Sequence, residues 1–232
     1  MRIAVGTSGF SYKEWKGTFY PEKMPGSGML QYYGERFDTV EINNTFYRMP
    51  KKEIIEKWPA QVPPDFTFVL KASQRITHIK RLKDVESEVA YFFEQAAVLG
   101  SHLGPVLFQL PPFSKKDLGR LEAFLSALPT NRSAAMEFRN ETWLSEDVYV
   151  ALRDHNVALC IADTDEESTP FVATADWGYL RLRGTDYPAD QLSRWAERVQ
   201  GQDWSAAYVF FKHEDEGRGP ELAKDFLKAL AN

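Results

Sequence analysis

Apolar positions along the chain switch repeatedly between two periods. Short runs rich in β-branched and aromatic residues occupy positions 3–8, 39–47, 67–73, 106–110, 134–139, 158–163, 179–183 and 207–212. Most are bounded by Gly, Pro, Asp or Asn, as strand ends tend to be. Between them, apolar residues recur at helical spacing over 30–37, 51–57, 85–99, 118–128, 146–155, 191–199 and 221–230. The clearest stripe is Val85, Val89, Phe92, Phe93, Ala96 and Leu99, which follows the i, i+3, i+4, i+7 rule. Gly100 is placed to stop that helix, and Pro220 to open the last one. The sixth interval, 164–178, has no such pattern, so the helix expected there is weak or missing.

Eight strands alternating with helices predict a parallel sheet with helical crossovers. An open dinucleotide-binding sheet would carry a glycine-rich phosphate turn after its first strand. Gly6-Thr7-Ser8-Gly9 lacks that fingerprint and is not followed by a clean helix start. The expected fold is therefore a closed parallel (β/α)8 TIM-type barrel, and no linker or repeat divides residues 1–232 into more than one domain.

A closed barrel gathers functional groups at the C-terminal ends of its strands. Those ends carry Thr7 and Ser8; Glu41, Asn43 and Thr45; Lys71 and Ser73; Gln109; Glu137 and Arg139; Asp163; Arg181 and Arg183; Lys212 and His213. Residues two apart share a strand face, so Glu41–Asn43–Thr45, Lys71–Ser73, Glu137–Arg139 and Arg181–Arg183 can each line one side. One member of the last pair, Arg181 or Arg183, can instead point outward. Charges inside apolar strands are costly unless paired or serving a ligand. Glu137–Arg139 is thus either a ligand site or a structural brace.

Composition refines this picture. The chain has 28 Lys and Arg against 33 Asp and Glu, a formal charge of −5, which argues against coating nucleic acid through bulk charge. Residues 71–83 nevertheless carry several cations and no acid, a funnel suited to phosphate or carboxylate, or else a solvated loop balanced by Asp84, Glu86 and Glu88. Trp15, Phe19, Tyr20, Phe46, Tyr47, Trp143 and Tyr187 flank the same end, either to stack on a ligand or to cap the core. The single cysteine, Cys160, lies in an apolar run and reads as an inert buried thiol. The N-terminus has too short an apolar stretch for a signal peptide, and no run approaches membrane-spanning length, which predicts a cytoplasmic protein.

Several chemistries can be weighed. Four histidines are too few for a zinc cluster, and His102 and His155 precede strand starts at the opposite end. With Glu41, Glu137 and Asp163, at most one Mg or Mn ion is expected. A glycosidase would use Glu137 with Glu41 or Asp163, but neighbouring arginines disfavour a protonated general acid. A serine nucleophile lacks an evident His–acid pair, and Glu214-Asp215-Glu216 resembles a solvated loop.

The motifs Gly6-Thr7-Ser8-Gly9-Phe10, Glu41-Ile42-Asn43-Asn44-Thr45-Phe46-Tyr47, Lys71-Ala72-Ser73, Gln109-Leu110-Pro111-Pro112, Glu137-Phe138-Arg139 with Trp143, Asp163-Thr164 and Arg181-Leu182 resemble, in order, the YecE-like family, domain of unknown function 72. The resemblance implies a TIM-type barrel without assigning an activity. Fold analogy with endonuclease IV and sugar isomerases implies a phosphate-containing ligand. Where relatives often carry histidine, this chain has Asn140 and Arg183; where many end the last strand with Phe-Asn-Asn, it has Phe211-Lys212-His213.

The expectation is a pocket for an anionic or phosphorylated small molecule, with hydrolase or isomerase chemistry. Glu137 is the candidate general base, His78 a proton-transfer group and Asp163 a further catalytic acid. Lys71, Arg139 and Arg181 would hold the anion, with Glu41, Asn43, Thr45, Gln109 and Trp143 completing the binding set. Nucleic-acid binding, with phosphodiesterase-like cleavage, and glycoside hydrolysis are the alternatives.

Overall fold

The computed structural model describes residues 1–212 and 217–231. The eight strands form a closed parallel barrel in chain order: β1 (Arg2–Ser8), β2 (Thr39–Ile42), β3 (Thr67–Lys71), β4 (Leu103–Gln109), β5 (Ala134–Glu137), β6 (Ala158–Asp163), β7 (Trp177–Leu182) and β8 (Ala206–Phe211). Closure is made by β8 pairing with β1 from Arg2↔Ala206 to Thr7↔Phe211.

Helices α1 (Met29–Gly34), α2 (Asn44–Tyr47), α3 (Lys52–Ile55), α4 (Glu86–Ala96), α5 (Leu118–Ser126), α6 (Glu146–Asp154), α7 (Ala189–Gln200) and α8 (Arg218–Leu230) lie in the crossovers. The longer ones form where the sequence supplies one apolar stripe. In α4 the buried residues are Val89, Phe92, Phe93 and Ala96; in α7 they are Leu192, Trp195, Ala196 and Val199. Each stripe covers the outer barrel wall while the opposite face stays polar. Asp117 starts α5 by accepting a hydrogen bond from the Arg120 backbone N–H at 3.1 Å, as N-cap residues do. Between β6 and β7 no helix forms; Ser168 instead bridges back to Asp163.

Two expectations about element ends are corrected. The second strand stops at Ile42, and residues 44–47 turn into helix, so Thr45 does not continue the strand face of Glu41 and Asn43. Pro220 is the third residue of α8, not its first.

The lumen is filled by Val69, Leu107, Ala135, Ala158, Cys160, Trp177, Tyr179 and Phe210. These residues fix which phase of each strand points inward. Counting on by twos brings Lys71, Gln109, Glu137, Ala162 and Arg181 to the top of the lumen. Bulk is uneven around it: β5 and β6 supply alanines and Cys160, and β7 and β8 supply aromatic rings. Burial pushes the Cys160 thiol well up, so the inert reading of that residue fits its place.

β1 and β2 pack closely at Gly6, where a Cβ would sit 2.0 Å from the Thr39 carbonyl oxygen. That oxygen also accepts from the Tyr33 hydroxyl at 3.0 Å, so it cannot yield cheaply. Gly6→Ala is expected to cost roughly 1–3 kcal/mol through overpacking, read by denaturant unfolding. A loss under about 0.5 kcal/mol would contradict this close approach.

Candidate functional site

The polar groups converge at the C-terminal mouth, and their centre is Arg181. Its guanidinium is almost fully buried and donates from Nη1 to Glu137 Oε2 at 2.5 Å and from Nη2 to Glu41 Oε1 at 2.8 Å. Glu41 Oε1 also accepts from Ser8 Oγ at 2.8 Å and Asn43 Nδ2 at 3.1 Å. Its Oε2 accepts from the Tyr179 hydroxyl at 2.6 Å. Glu137 Oε1 accepts from Gln109 Nε2 at 2.6 Å and Arg139 Nε at 3.1 Å.

Burial alone would push both carboxyls up. For Glu41, Arg181 with the Tyr179 and Ser8 hydrogen bonds more than offsets it, leaving the carboxyl below its usual value. For Glu137, Arg181 and Arg139 prevail, bringing it down to about 2. Both acids are therefore ionised at neutral pH, with their oxygens already engaged. That corrects the expectation of Glu137 as general base: a carboxylate held so low is a weak proton acceptor. A glycosidase general acid is likewise unsupported at either position.

Gln109 bridges to the next strand. Its Oε1 accepts from Lys71 Nζ at 2.7 Å while its Nε2 serves Glu137, an orientation fixed by one charge on each side. Lys71 lies over the Phe46 ring at 4.3 Å. Burial, then Arg181, brings its ammonium down to about 8. His78 stands on a π-helical segment, Arg75–Ile79. Its ring meets Phe46 at 4.8 Å, and its Nδ1 lies 2.9 Å from Thr77 Oγ1. Burial, then Lys71 and Arg139, holds it below the usual imidazole value, so it is neutral at pH 7.

Arg183 follows Arg181 on the inward phase, which settles the open alternative: both arginines face the mouth. Its Nε is buried without a hydrogen-bond partner among the described residues. Burial, then Arg181, lowers its pKa, and Glu137, Arg139 and Glu41 lie close enough to act on it.

Three expected site residues fall elsewhere. Asp163 is on the outward phase of β6, because Cys160 and Ala162 face in; its Oδ2 accepts from the Tyr187 hydroxyl at 2.8 Å. Thr45 is buried and donates to the Lys71 backbone carbonyl at 2.6 Å, so it braces the wall. Trp143 is buried, stacked on Phe138 at 4.8 Å, and donates from Nε1 to the Ser114 carbonyl at 2.6 Å, which makes it core. Trp15, Phe19, Tyr20 and Tyr187 are also buried; Tyr47 is 73% exposed. Core capping explains Trp15, Phe19, Tyr20 and Tyr187, while Tyr47 stands outside the core and Phe46 lies against Lys71 and His78.

The basic loop is partly neutralised. Glu88 pairs with Arg75 and Lys80, both at 2.9 Å; Lys80, then Arg75, brings its carboxyl down to about 2. Beside the mouth, a cleft of about 670 Å³ is lined by residues including Arg48, Lys51, Ser73, Arg75 and Tyr91, but by none of Glu41, Glu137 or Arg181.

No group of three or more His, Cys, Asp or Glu able to hold a metal occurs among the described residues. The carboxylates considered for one Mg or Mn are spoken for: Glu41 and Glu137 by Arg181, Asp163 by the opposite strand face. His213 and Glu214-Asp215-Glu216 lie outside the described residues. No helix among the described residues is long and apolar enough to cross a membrane.

The family model described as "Protein of unknown function DUF72" matches residues 4–232. The chain belongs to the DUF72 family. The UPF0759 protein YecE of Escherichia coli K12 is 25% identical over 258 residues, covering 98% of this chain and 92% of that protein. A DUF72 crystal structure from Thermotoga maritima superposes with a TM-score of 0.87 at 29% identity, covering both chains fully. Another from Enterococcus faecalis gives 0.82 at 20% identity over 99% and 96% of the two chains. The barrel is thus shared within DUF72, and none of these names assigns an activity.

Proposed function

We propose that the mouth of this barrel binds an anionic ligand between Arg139, Lys71 and Arg183. Beneath them lies a floor that Glu41, Glu137 and Arg181 have already paired. What carries the reading is the contrast in hydrogen-bonding demand. The floor acids are engaged by protein donors, whereas the Arg139 side chain is 38% exposed above them and Arg183 keeps its buried Nε unpartnered among the described residues, as Arg181 of the floor does at Nε. Arginine offers a planar fork to carboxylate or phosphate, and lysine a point charge. Glu137 serves as an anchor that aims Arg139 and Arg181. Proton transfer, for hydrolysis or isomerisation of the ligand, falls to Lys71 and His78, whose pKa values are displaced toward neutrality or below it.

Orthophosphate or citrate at low ionic strength is expected to raise the melting temperature, by mass action on the folded state. Arg139→Ala should weaken that binding by about tenfold or more, the usual cost of a charge-assisted contact. Absence of stabilisation by every anion tried, with the protein folded, would remove the proposal.

A further inference from the structure

We infer that the mouth is built for a dianion, the phosphomonoester class, and that Arg183 is the residue that separates dianions from monoanions. The inference rests on the anion-binding reading and adds to it a charge requirement and a residue.

Four cations, Lys71, Arg139, Arg181 and Arg183, meet two carboxylates, Glu41 and Glu137, at the top of the lumen. Arg181 bonds both acids at 2.8 and 2.5 Å, and Arg139 bonds Glu137 at 3.1 Å. Among these six described side chains, two positive charges are left over. Asp163 cannot compensate them, since it faces outward and accepts from Tyr187. His78 adds no charge at neutral pH. Lys212, just past the end of β8, is a further cation and supplies no compensating negative charge.

A monoanion, such as a carboxylate or a phosphodiester, would balance only one of the two charges left over and leave a half-buried cation unpaired, which is costly where water is partly excluded. A phosphomonoester supplies two charges and three terminal oxygens, enough for Arg139, Lys71 and the unpartnered Arg183 Nε. Arg183 is the decisive member because its buried Nε has no acceptor among the described residues; Arg181 shares that at Nε, but both of its Nη groups are held by Glu41 and Glu137. Arg139 retains Glu137, and Lys71 retains Gln109.

The pH dependence follows from both partners. The second phosphate ionisation lies near pH 6, so affinity rises through that region. It falls again as Lys71 loses its proton around pH 8. The groups acting on Lys71 are Arg181, Glu137, Glu41 and Arg139, with Gln109 bonded to it and His78 near enough to feel its charge. Of these, only His78 has an ordinary ionisation close to the range in question, and burial, then Lys71, moves it down, away from the Lys71 limb.

The test is calorimetric titration with phenyl phosphate, dimethyl phosphate and acetate at constant low ionic strength, from pH 5.5 to 9. Wild-type protein, Arg183→Met and Arg183→Lys are compared, with circular dichroism confirming the fold of each. Phenyl phosphate should bind at least about tenfold tighter than either monoanion at pH 7. The preference should shrink to about threefold or less in Arg183→Met and be partly retained in Arg183→Lys. Equal wild-type affinity for monoanions and phenyl phosphate would overturn the inference and leave anion binding standing. An unchanged preference in Arg183→Met would overturn the role of Arg183. Failure of all three probes to bind would remove the underlying reading as well.

Discussion

Replacing Arg181 with methionine is expected to remove roughly 3–5 kcal/mol of folding stability, the usual consequence of stripping the partner from a buried charge. The effect belongs at the upper end of point mutations, because one side chain holds two carboxylates. Glu41 and Glu137 are 0% and 1% exposed, and both bond the same guanidinium. Without it, burial would push both carboxyls up, and one or both would take a proton at neutral pH. For a domain of this size the loss corresponds to a melting point lower by about 6–20 °C. Denaturant unfolding measures it directly. The combined variant Arg181→Met, Glu41→Gln, Glu137→Gln should recover much of the loss, since no buried charge is then stranded. A single-variant cost below about 1 kcal/mol would mean that water reaches the carboxylates.

The acid limb of the stability curve is expected to be steep, with the buried Glu137 a main contributor. Its folded pKa is about 2 against an ordinary value of 4.5. A depressed folded value gives stability that is fully present above the unfolded pKa and is lost as pH falls through the folded one. The window is therefore about pH 4.5 down to 2, and the contribution is on the order of 3 kcal/mol at 1.36 kcal/mol per unit. Glu41 is shifted in the same direction and adds to the slope. Glu137→Gln should be less stable at pH 7 but visibly flatter between pH 4.5 and 2. Equal slopes in both proteins would assign acid unfolding to other carboxylates.

The barrel was legible because strands and helices alternate with different apolar periods, and because an i, i+2 pair of charges in an apolar run advertises a shared face. Glu137 and Arg181 are legible that way, and Glu41, Lys71 and Gln109 from their place at the C-terminal ends of strands. Asp163 was misjudged for a physical reason. A parallel barrel strand is covered on both sides, and Ala158-Leu159-Cys160-Ile161-Ala162 offers no polar contrast to mark which phase faces the lumen. Thr45 failed because the turn into helix after Ile42 begins within a run that still reads as strand. Trp143 and its aromatic companions were ambiguous because a ring at a strand end can face the core or a ligand equally well. Arg183 carried a usable signal, the same i, i+2 relation to Arg181, but needed the lumen residues to fix its side. Of the three acids that the sequence offers to balance the basic loop, Asp84, Glu86 and Glu88, it is Glu88 that pairs with Arg75 and Lys80.

The bonds radiating from Arg181 tie together six strands. Ser8 and Glu41 reach in from β1 and β2, Lys71 and Gln109 from β3 and β4, Glu137 from β5, and Tyr179 with Arg181 itself from β7. They act as a hoop across the upper rim, independent of the backbone ladder around it. None of those six βα units can loosen at that rim without cutting a bond of the hoop, so flexibility among them belongs to the loops standing on it. Those loops can diverge between relatives while the rim that holds them keeps its shape.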